Sequence, residues 1–142
     1  MVDLFGEYRH KVDAKGRLAL PAKFRKVLSE DLIVIIDPLK HECLYVFESE
    51  DYGSWVKSFF NSEEPFNNRS TDEVELRRRL RSAASDVALD TAGRINVPAN
   101  QREKVGIDKD VVILGNEGYF EIWDAKRWDD HCEAYYRNGL AQ

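Results

Sequence analysis

The segment DAKGRLALPAKFRKV at residues 13–27 decides the fold, because the chain contains it twice. The second copy, DTAGRINVPANQREK at 90–104, lies 77 positions later and matches the first at an Asp, a Gly, a Pro, an Ala and two Arg. The similarity continues, since LIVI (32–35) matches VVIL (111–114) and LYVFESEDY (44–52) matches FEIWDAKRW (120–128). A unit of about 50 to 60 residues is marginal as an independent domain. We therefore expect two tandem units with a shared core.

Each unit is predicted to fold as two strands joined by a turn, a helix that starts at a proline, a second strand pair and a closing helix. In the first unit these elements are EYRHKV, RLAL, PAKFRKVL, LIVIID, CLYVFE and SEDYGSWVKSFF. In the second they are DVAL, RINV, PANQREKVG, DVVILG, YFEIW and DAKRWDDHCEAYYR. Pro21 suits the first position of its helix. The pattern predicts an α+β fold that is mainly β, with a first repeat at 1–60, a connecting segment at 61–84 and a second repeat at 85–142.

The connecting segment combines a predicted loop with a predicted arginine-rich helix. NSEEPFNNRST (61–71) is polar and rich in turn formers, and Asp72 suits a helix cap ahead of Glu75. The helix EVELRRRLRSAA places Leu76, Leu80 and Ala83 on one face. Either a solvated or oligomer-facing surface or a phosphate-binding patch would explain its four arginines, which are Arg77, Arg78, Arg79 and Arg81.

The repeated turns DAKG and DTAG have the Asp and Gly positions of type I turns, with the Gly in the left-handed conformation of a bulge. Pairing outward from the first turn places Val12 opposite Leu18, Lys11 opposite Ala19 and His10 opposite Leu20. The predicted core face of the two hairpins consists of His10, Val12, Leu18 and Leu20, and of Val87, Leu89, Ile95 and Val97. The predicted outer face consists of Arg9, Lys11, Asp13 and Arg17 with Lys15 at the tip, and of Ala88, Asp90, Asn96 and Arg94.

Charge is segregated along a chain that is acidic as a whole. The formal net charge is -5, with 33% charged and 43% hydrophobic residues. Residues 8–26 contain seven Lys or Arg and one Asp, whereas residues 28–75 contain three Lys or Arg and twelve acids. A local basic field attracts a polyanion even on an acidic protein, and the acidic surface elsewhere restricts where it docks.

These features indicate a DNA-binding surface on the first turn. Its predicted contact residues, together with one arginine of the second turn, are Arg9, Lys11, Lys15, Arg17 and Arg94. The predicted structural residues of the two turns are Asp13, Gly16, Asp90 and Gly93. A guanidinium positioned by an Asp can donate hydrogen bonds to a phosphate or to a guanine edge, and a two-stranded ribbon fits the major groove. The alternative is an ion pair that only stabilises its own turn.

Other classes of function find little support in the sequence. No stretch approaches the roughly 20 apolar residues of a membrane span, and MVDLFGEYRH lacks the features of a signal peptide, so we expect a cytoplasmic protein. Cys43 and Cys132 lie far apart, which favours packed thiols over a disulfide. Neither has zinc-site spacing with its neighbouring histidine, His41 or His131. No motif for a metal, a cofactor or catalysis is present, so no enzyme is expected.

The twin DAKGR and DTAGR, with LP and VP behind them and EIWD at 121–124, resemble the MraZ family of bacterial transcriptional regulators over nearly the whole chain. The resemblance implies an AbrB-like fold, in which the two repeats form one intertwined, swapped-hairpin β-barrel with peripheral helices. It implies a homo-oligomer, expected as a ring, that binds double-stranded DNA at short direct repeats in the promoter of the division and cell-wall gene cluster, including its own gene. Such a protein is expected to be a nucleoid-associated repressor. The motif carries over onto Asp13 and Arg17, with Lys15 between them, and onto Asp90 and Arg94.

Two alternatives share parts of this prediction. An AbrB-like antitoxin would bind DNA at one end and neutralise a toxin partner at the other, and an unstructured C-terminal tail would favour it. Here the C-terminal segment WDDHCEAYYRNGLAQ is predicted to be helical, which disfavours it. A purely structural ring, in which a neighbouring subunit covers the basic face, also fits the sequence.

Overall fold

The computed structural model describes residues 1–60 and 71–139. The strands in these ranges are β1 (Glu7–Lys11), β2 (Arg17–Ala19), β3 (Asp31–Ile36), β4 (Leu44–Glu48), β5 (Ser85–Ala88), β6 (Arg94–Asn96), β7 (Asp110–Gly115) and β8 (Phe120–Asp124). The helices are α1 (Ala22–Arg25), α2 (Ser49–Lys57), α3 (Thr71–Ser82), α4 (Ala99–Lys104) and α5 (Ala125–Asn138). The prediction of a mixed α+β fold dominated by strands is confirmed.

The two repeats exchange their first strands. Six strands form an antiparallel sheet in the order β1-β7-β8-β4-β3-β5, and β2 pairs with β6 in a separate ribbon. Strand β1 of the first repeat pairs with β7 of the second, where His10 lies opposite Val111. Strand β5 of the second repeat pairs with β3 of the first, where Val87 lies opposite Leu32. Each repeat therefore completes the sheet of the other.

The predicted ladder within the first hairpin is wrong beyond the pair next to the turn. Val12 does lie opposite Leu18, but Lys11 pairs with Asp110 and Ala19 pairs with Arg94. Strands this short bury little surface as an isolated hairpin. Pairing with the other repeat gives β1 the longer apolar strand β7 as its neighbour and gives β2 the matching strand β6, so β1 and β2 separate immediately after the turn.

The shared core lies between the ribbon and the six-stranded sheet. The ribbon contributes Leu18, Leu20, Ile95 and Val97, and the sheet contributes residues that include Val34, Val46, Val111 and Ile122. Along the ribbon, buried residues alternate with exposed or half-buried ones, as the period of two requires, whereas β7 is buried at the three successive residues Val111, Val112 and Ile113. The predicted core positions of the hairpins are buried, except that Val87, Leu89 and His10 are half-buried. His10 Nδ1 lies 2.6 Å from the Ala19 carbonyl oxygen, so this histidine has a hydrogen-bond partner.

A second apolar cluster covers the opposite side of the sheet. Its buried members are Ile35 and Phe47 from β3 and β4, Tyr52 and Val56 from α2, and Leu80 from α3. The Tyr52 hydroxyl donates a hydrogen bond to the Leu80 carbonyl oxygen. This hydrogen bond connects α3 to α2.

Two predicted helix details need correction. Helix α1 begins at Ala22, so Pro21 is its N-cap and not its first residue. Helix α3 begins at Thr71, so Asp72 lies in the first turn, where its charge favours the helix dipole but does not cap it. The predicted shared face of Leu76, Leu80 and Ala83 is present, since all three line one groove, where Leu80 is buried and Leu76 is exposed. The remaining residues of the predicted loop, 61–70, lie outside the described part of the chain.

Neither cysteine forms a disulfide. Cys43 is buried, and this burial raises the pKa of its thiol, as expected for a packed side chain, while Cys132 is half-buried. Among residues 1–60 and 71–139, no group of three or more His, Cys, Asp or Glu side chains could hold a metal ion. No helix in the same ranges is long and apolar enough to cross a membrane.

Candidate nucleic-acid interface

The first repeated turn is organised by the carboxylate of Asp13. Its Oδ1 accepts hydrogen bonds from the amides of Lys15 at 3.0 Å and Arg17 at 2.9 Å. Its Oδ2 lies 2.7 Å from Arg17 Nε. The amide of Gly16, at a φ of +84°, closes the turn onto the Asp13 carbonyl oxygen. One carboxylate thus shapes the turn and orients the arginine.

The second turn repeats this geometry. Asp90 Oδ1 accepts from the amides of Ala92 and Arg94 at 2.9 and 2.8 Å, and Oδ2 lies 3.2 Å from Arg94 Nε. Gly93 has a φ of +78°. In both turns the hydrogen bond from the arginine amide is the main cause that lowers the pKa of the aspartate. The carboxylates are therefore held ionised beside their arginines.

The ribbon carries the two turns at its opposite ends and the two turn arginines on one face. Arg17 lies opposite Asn96 and Arg94 lies opposite Ala19, with buried Leu18 and Ile95 between them. Because side chains alternate along a strand, both arginines lie on the outer face, diagonally across the ribbon. Each of these arginine side chains is 37% exposed. The outer face of the ribbon therefore presents two guanidinium groups.

A second pair of arginines, which the sequence analysis did not assign to the site, lies against the glycines of the turns. Arg102 of α4 donates from Nε to the Val97 carbonyl oxygen at 3.0 Å, and a Cβ at Gly16 would lie 2.9 Å from its Nη2. Arg25, the last residue of α1, has its Cδ only 2.0 Å from where a Cβ at Gly93 would lie. Each arginine comes from the repeat opposite to the turn it covers. The sequence does contain a signal for this pair, because Arg25 and Arg102 are the second arginine that the two copies of the repeated segment share.

This exchange changes the charge around the second turn. The turn has Ala92 where the first has Lys15, which by itself makes it less basic. The strand exchange, however, places Arg25 and Lys26 of the basic first repeat beside Asp90 and Gly93, where they line one open hollow. Cations therefore accompany both turns.

Two predicted contact residues lie apart from the ribbon. Arg9 and Lys11 belong to β1 of the six-stranded sheet, so the single cationic face predicted for residues 9–17 is divided. Arg9 Nη2 lies 2.7 Å from Asp129 Oδ1 of α5, and Lys11 Nζ lies 3.9 Å from Asp110 Oδ1. The hydrogen bond from Arg9 lowers the pKa of Asp129. Both cations thus have carboxylate partners supplied by the second repeat.

Lys15 differs from its neighbours in this respect. It is exposed at the tip of the first turn, and it forms no ion pair with another residue of the described ranges. Its backbone amide donates a hydrogen bond to Asp13, and its side chain is exposed.

The repeats and their turns agree with comparisons to known proteins. A family model described as "MraZ protein, putative antitoxin-like" matches residues 4–77 and again residues 80–142, so each match contains one turn. The chain belongs to the MraZ family. The protein named Transcriptional regulator MraZ from Lachnoclostridium phytofermentans is 36% identical to this chain, over 89% of this chain and 84% of the relative. The relative from Limosilactobacillus fermentum is 38% identical over 91% of this chain and 86% of its own length. The relative from Roseiflexus castenholzii is 39% identical over 94% of this chain and 89% of its own length.

In this MraZ-family chain the double match has a structural counterpart. Neither half carries a complete set of strand partners, because β1 and β5 are exchanged. The two family repeats therefore form one structure, and its ribbon carries one of the two related turns at each end.

Proposed function

We propose that the chain is a DNA-binding transcription regulator that places the β2–β6 ribbon in the major groove. The observation that carries the proposal is the diagonal placement of Arg17 and Arg94 on the outer face of one ribbon. A two-stranded ribbon fits the groove, and guanidinium groups bind guanine edges and phosphates in bidentate fashion. The relatives' name, Transcriptional regulator MraZ, supports the same function.

The surrounding cations serve as phosphate contacts in this proposal. Lys15 reaches the backbone from the turn tip, while Arg25 and Lys26 reach it from the hollow beside the second turn. Arg9 and Lys11 lie farther out and contribute through exposed ion pairs, which contribute little to folding and can exchange a carboxylate for a phosphate. Phosphate contacts of this kind position the protein, and base contacts give it sequence preference.

The proposed target is a set of short direct repeats in the promoter of the division and cell-wall gene cluster, including the chain's own gene. The proposed effect is repression, by a protein located in the cytoplasm at the nucleoid. These features follow from the family resemblance of the DAKGR and DTAGR motifs.

We further propose that the sheet and the ribbon close into one AbrB-like, intertwined barrel built by the repeats at 1–60 and 85–142. Support comes from the core, in which ribbon and sheet residues pack in one cluster. Copies of this unit assemble into a homo-oligomer, a ring in the family's manner. Several weak contacts to repeated sites then add up, with gains of about 100-fold to 10,000-fold in avidity.

An antitoxin-type DNA binder with a protein partner is the second candidate, because the family description includes an antitoxin likeness. The segment that would have to capture a toxin as an unstructured tail is helical up to Asn138 in the described residues. A stoichiometric small protein recovered with the chain from native cells would favour this candidate over the first.

The experiment that tests the proposal is a titration of the purified chain against DNA from upstream of its own gene, followed by fluorescence anisotropy across a salt series. Arg17→Ala is expected to weaken binding by about 1 to 3 kcal/mol and to reduce sequence preference. Lys15→Ala and Arg25→Ala are expected to weaken binding to all sequences and to reduce the salt slope by about 1 each.

Lys57→Ala is the matched control, because it removes one exposed positive charge from α2, away from the ribbon. The control is expected to bind like the wild type. Equal affinity of the wild type and all three ribbon variants at matched salt would contradict the proposed interface.

A further inference from the structure

The internal repeat reveals an imbalance in how the two closing helices are packed. Helices α2 and α5 occupy matching places, 76 positions apart, after β4 and β8. Helix α2 buries Tyr52 and Val56 beneath α3, but none of the fourteen residues of α5 is buried. Among residues 1–60 and 71–139, the same place in the fold is thus covered in the first repeat and open in the second.

Helix α5 carries a largely aromatic stripe that is half-buried at its start and exposed at its end. Trp128, Cys132, Tyr135 and Tyr136 recur at the three- and four-residue spacing that puts side chains on one helical face. At one end Trp128 packs against Trp123 of the sheet. At the other end Tyr135 is 50% exposed and Tyr136 is 72% exposed. Two adjacent large aromatic side chains on a surface indicate an interaction site.

The first repeat shows what chemistry covers this position. The residue that matches Tyr136 is Phe60, and the guanidinium of Arg77 from α3 lies 4.4 Å from the centre of its ring. Leu80 of the same helix packs into the apolar cluster below. An arginine-bearing helix with exposed leucine is therefore a suitable cover for the stripe on α5.

A surface of that composition remains open on the other side of α3. A groove of about 590 Å³ separates α3 from β3 and the loop after it. Its apolar lining consists of Ile35, Ile36, Pro38, Leu76, Leu80 and Ala83. Leu76 is 36% exposed, and Arg79 and Lys104 add positive charge. The volume suits the side chains of a docked helix and exceeds what a single ion needs.

We propose that a second copy of this chain occupies the groove, with Tyr135 and Tyr136 of its α5 inserted against Leu76. Glu133 lies three residues before Tyr136, at the edge of the stripe, and would face Arg79 or Lys104 of the groove. Glu133 and Arg79 now pair with Arg137 and Glu75 within their own exposed helices, and such surface pairs exchange readily. The inference rests on the proposed self-assembly and assigns its surfaces.

The two surfaces differ, so each copy offers one stripe and one groove. A contact between unlike surfaces adds copies head to tail and gives a closed ring when the rotation permits. Two variants that each destroy one surface should therefore complement each other.

The test uses the full chain with Tyr136→Glu, which spoils the stripe, and Leu76→Glu, which spoils the groove. Light scattering after gel filtration is expected to show an assembly for the wild type and a monomer for either variant. An equimolar mixture of the variants is expected to give a dimer and nothing larger, because one intact stripe meets one intact groove. Val27→Glu, at an aliphatic side chain 54% exposed outside both surfaces, is the control and should assemble like the wild type.

Each result decides between the proposals. A wild type that is monomeric at all concentrations removes both the proposed self-assembly and this inference. An assembled wild type with equally assembled Tyr136→Glu or Leu76→Glu overturns the surface assignment alone, as does a mixture that stays monomeric. Circular dichroism of each variant verifies that the fold is intact, and DNA binding by the ribbon is measured separately.

Discussion

At the scale of single residues, the two turns show how much a short side chain can organise. Asp13 and Asp90 each satisfy two backbone amides and orient one guanidinium, all within four residues. Contacts this local follow from turn chemistry and can be predicted from sequence. The contact of Arg9 with Asp129 spans 120 positions, and nothing in the sequence around Arg9 indicates it.

The Asp13 network predicts a pH-dependent contribution to stability. Hydrogen bonds from Arg17 and Lys15 lower the pKa of Asp13 below its ordinary value of 3.8. A depressed folded-state pKa stabilises the fold above the unfolded-state pKa, and this stabilisation is lost as pH falls through the folded-state pKa. Asp13→Ala should therefore lower Tm at neutral pH, and the difference from the wild type should shrink on acidification below about 4.

Thermal melts followed by circular dichroism from neutral to strongly acidic pH check this prediction. Asp108→Ala, at an exposed aspartate in the loop before β7, is the control and should show a small difference at every pH. A Tm gap for Asp13→Ala that stays constant through the acid range contradicts the stated role of the carboxylate.

At the scale of elements, glycine is required in a turn with positive φ but is unfavourable within a helix. Gly93 lies in a turn at positive φ with Arg25 packed against it, so both its backbone and its space exclude a side chain. Gly53 lies within α2, where, in the described part of the chain, no atom beyond the helix's own backbone and the adjacent residues lies within 4 Å of a would-be Cβ. The same residue type is thus required in one element and unfavourable in the other.

A pair of glycine-to-alanine substitutions tests this contrast. Gly93→Ala should lower the free energy of unfolding by about 1 to 2 kcal/mol, because alanine in the left-handed region is strained. Gly53→Ala should raise it by about 0.5 to 1 kcal/mol, because alanine is the better helix former. Urea denaturation of the two variants measures both changes in the free energy of unfolding. Changes of the same sign for the two variants would refute the predicted contrast between the two positions.

At the scale of the whole molecule, the strand exchange makes the repeats interdependent. Strand β1 has its partner in β7 and strand β5 has its partner in β3, while the ribbon takes one strand from each repeat. Separating the repeats would expose the core between ribbon and sheet. A fragment of this size is marginal as an independent domain, and here it would also lose the strand partners that the other repeat supplies.

Fragments obtained by dividing the chain between residues 60 and 71 test this interdependence. Each fragment alone should lack the dispersed amide signals of a folded protein in an NMR spectrum. Mixing the two fragments should restore the spectrum of the intact chain, because every strand then finds its partner. A well-dispersed spectrum for either isolated, monomeric fragment is the result that would contradict the exchange.

The sequence by itself determined the repeats, the type of each main element and the two turns, because periodicity and turn chemistry act over a few residues. It also identified Arg17 and Arg94 as outward-facing, since both flank buried strand positions. Only the tertiary structure decided which strands pair, and with them which charges meet. Strand partners are chosen by burial across the whole chain. For this reason Lys11 faces Asp110, and Arg25 of the basic repeat accompanies the turn that lacks a lysine of its own.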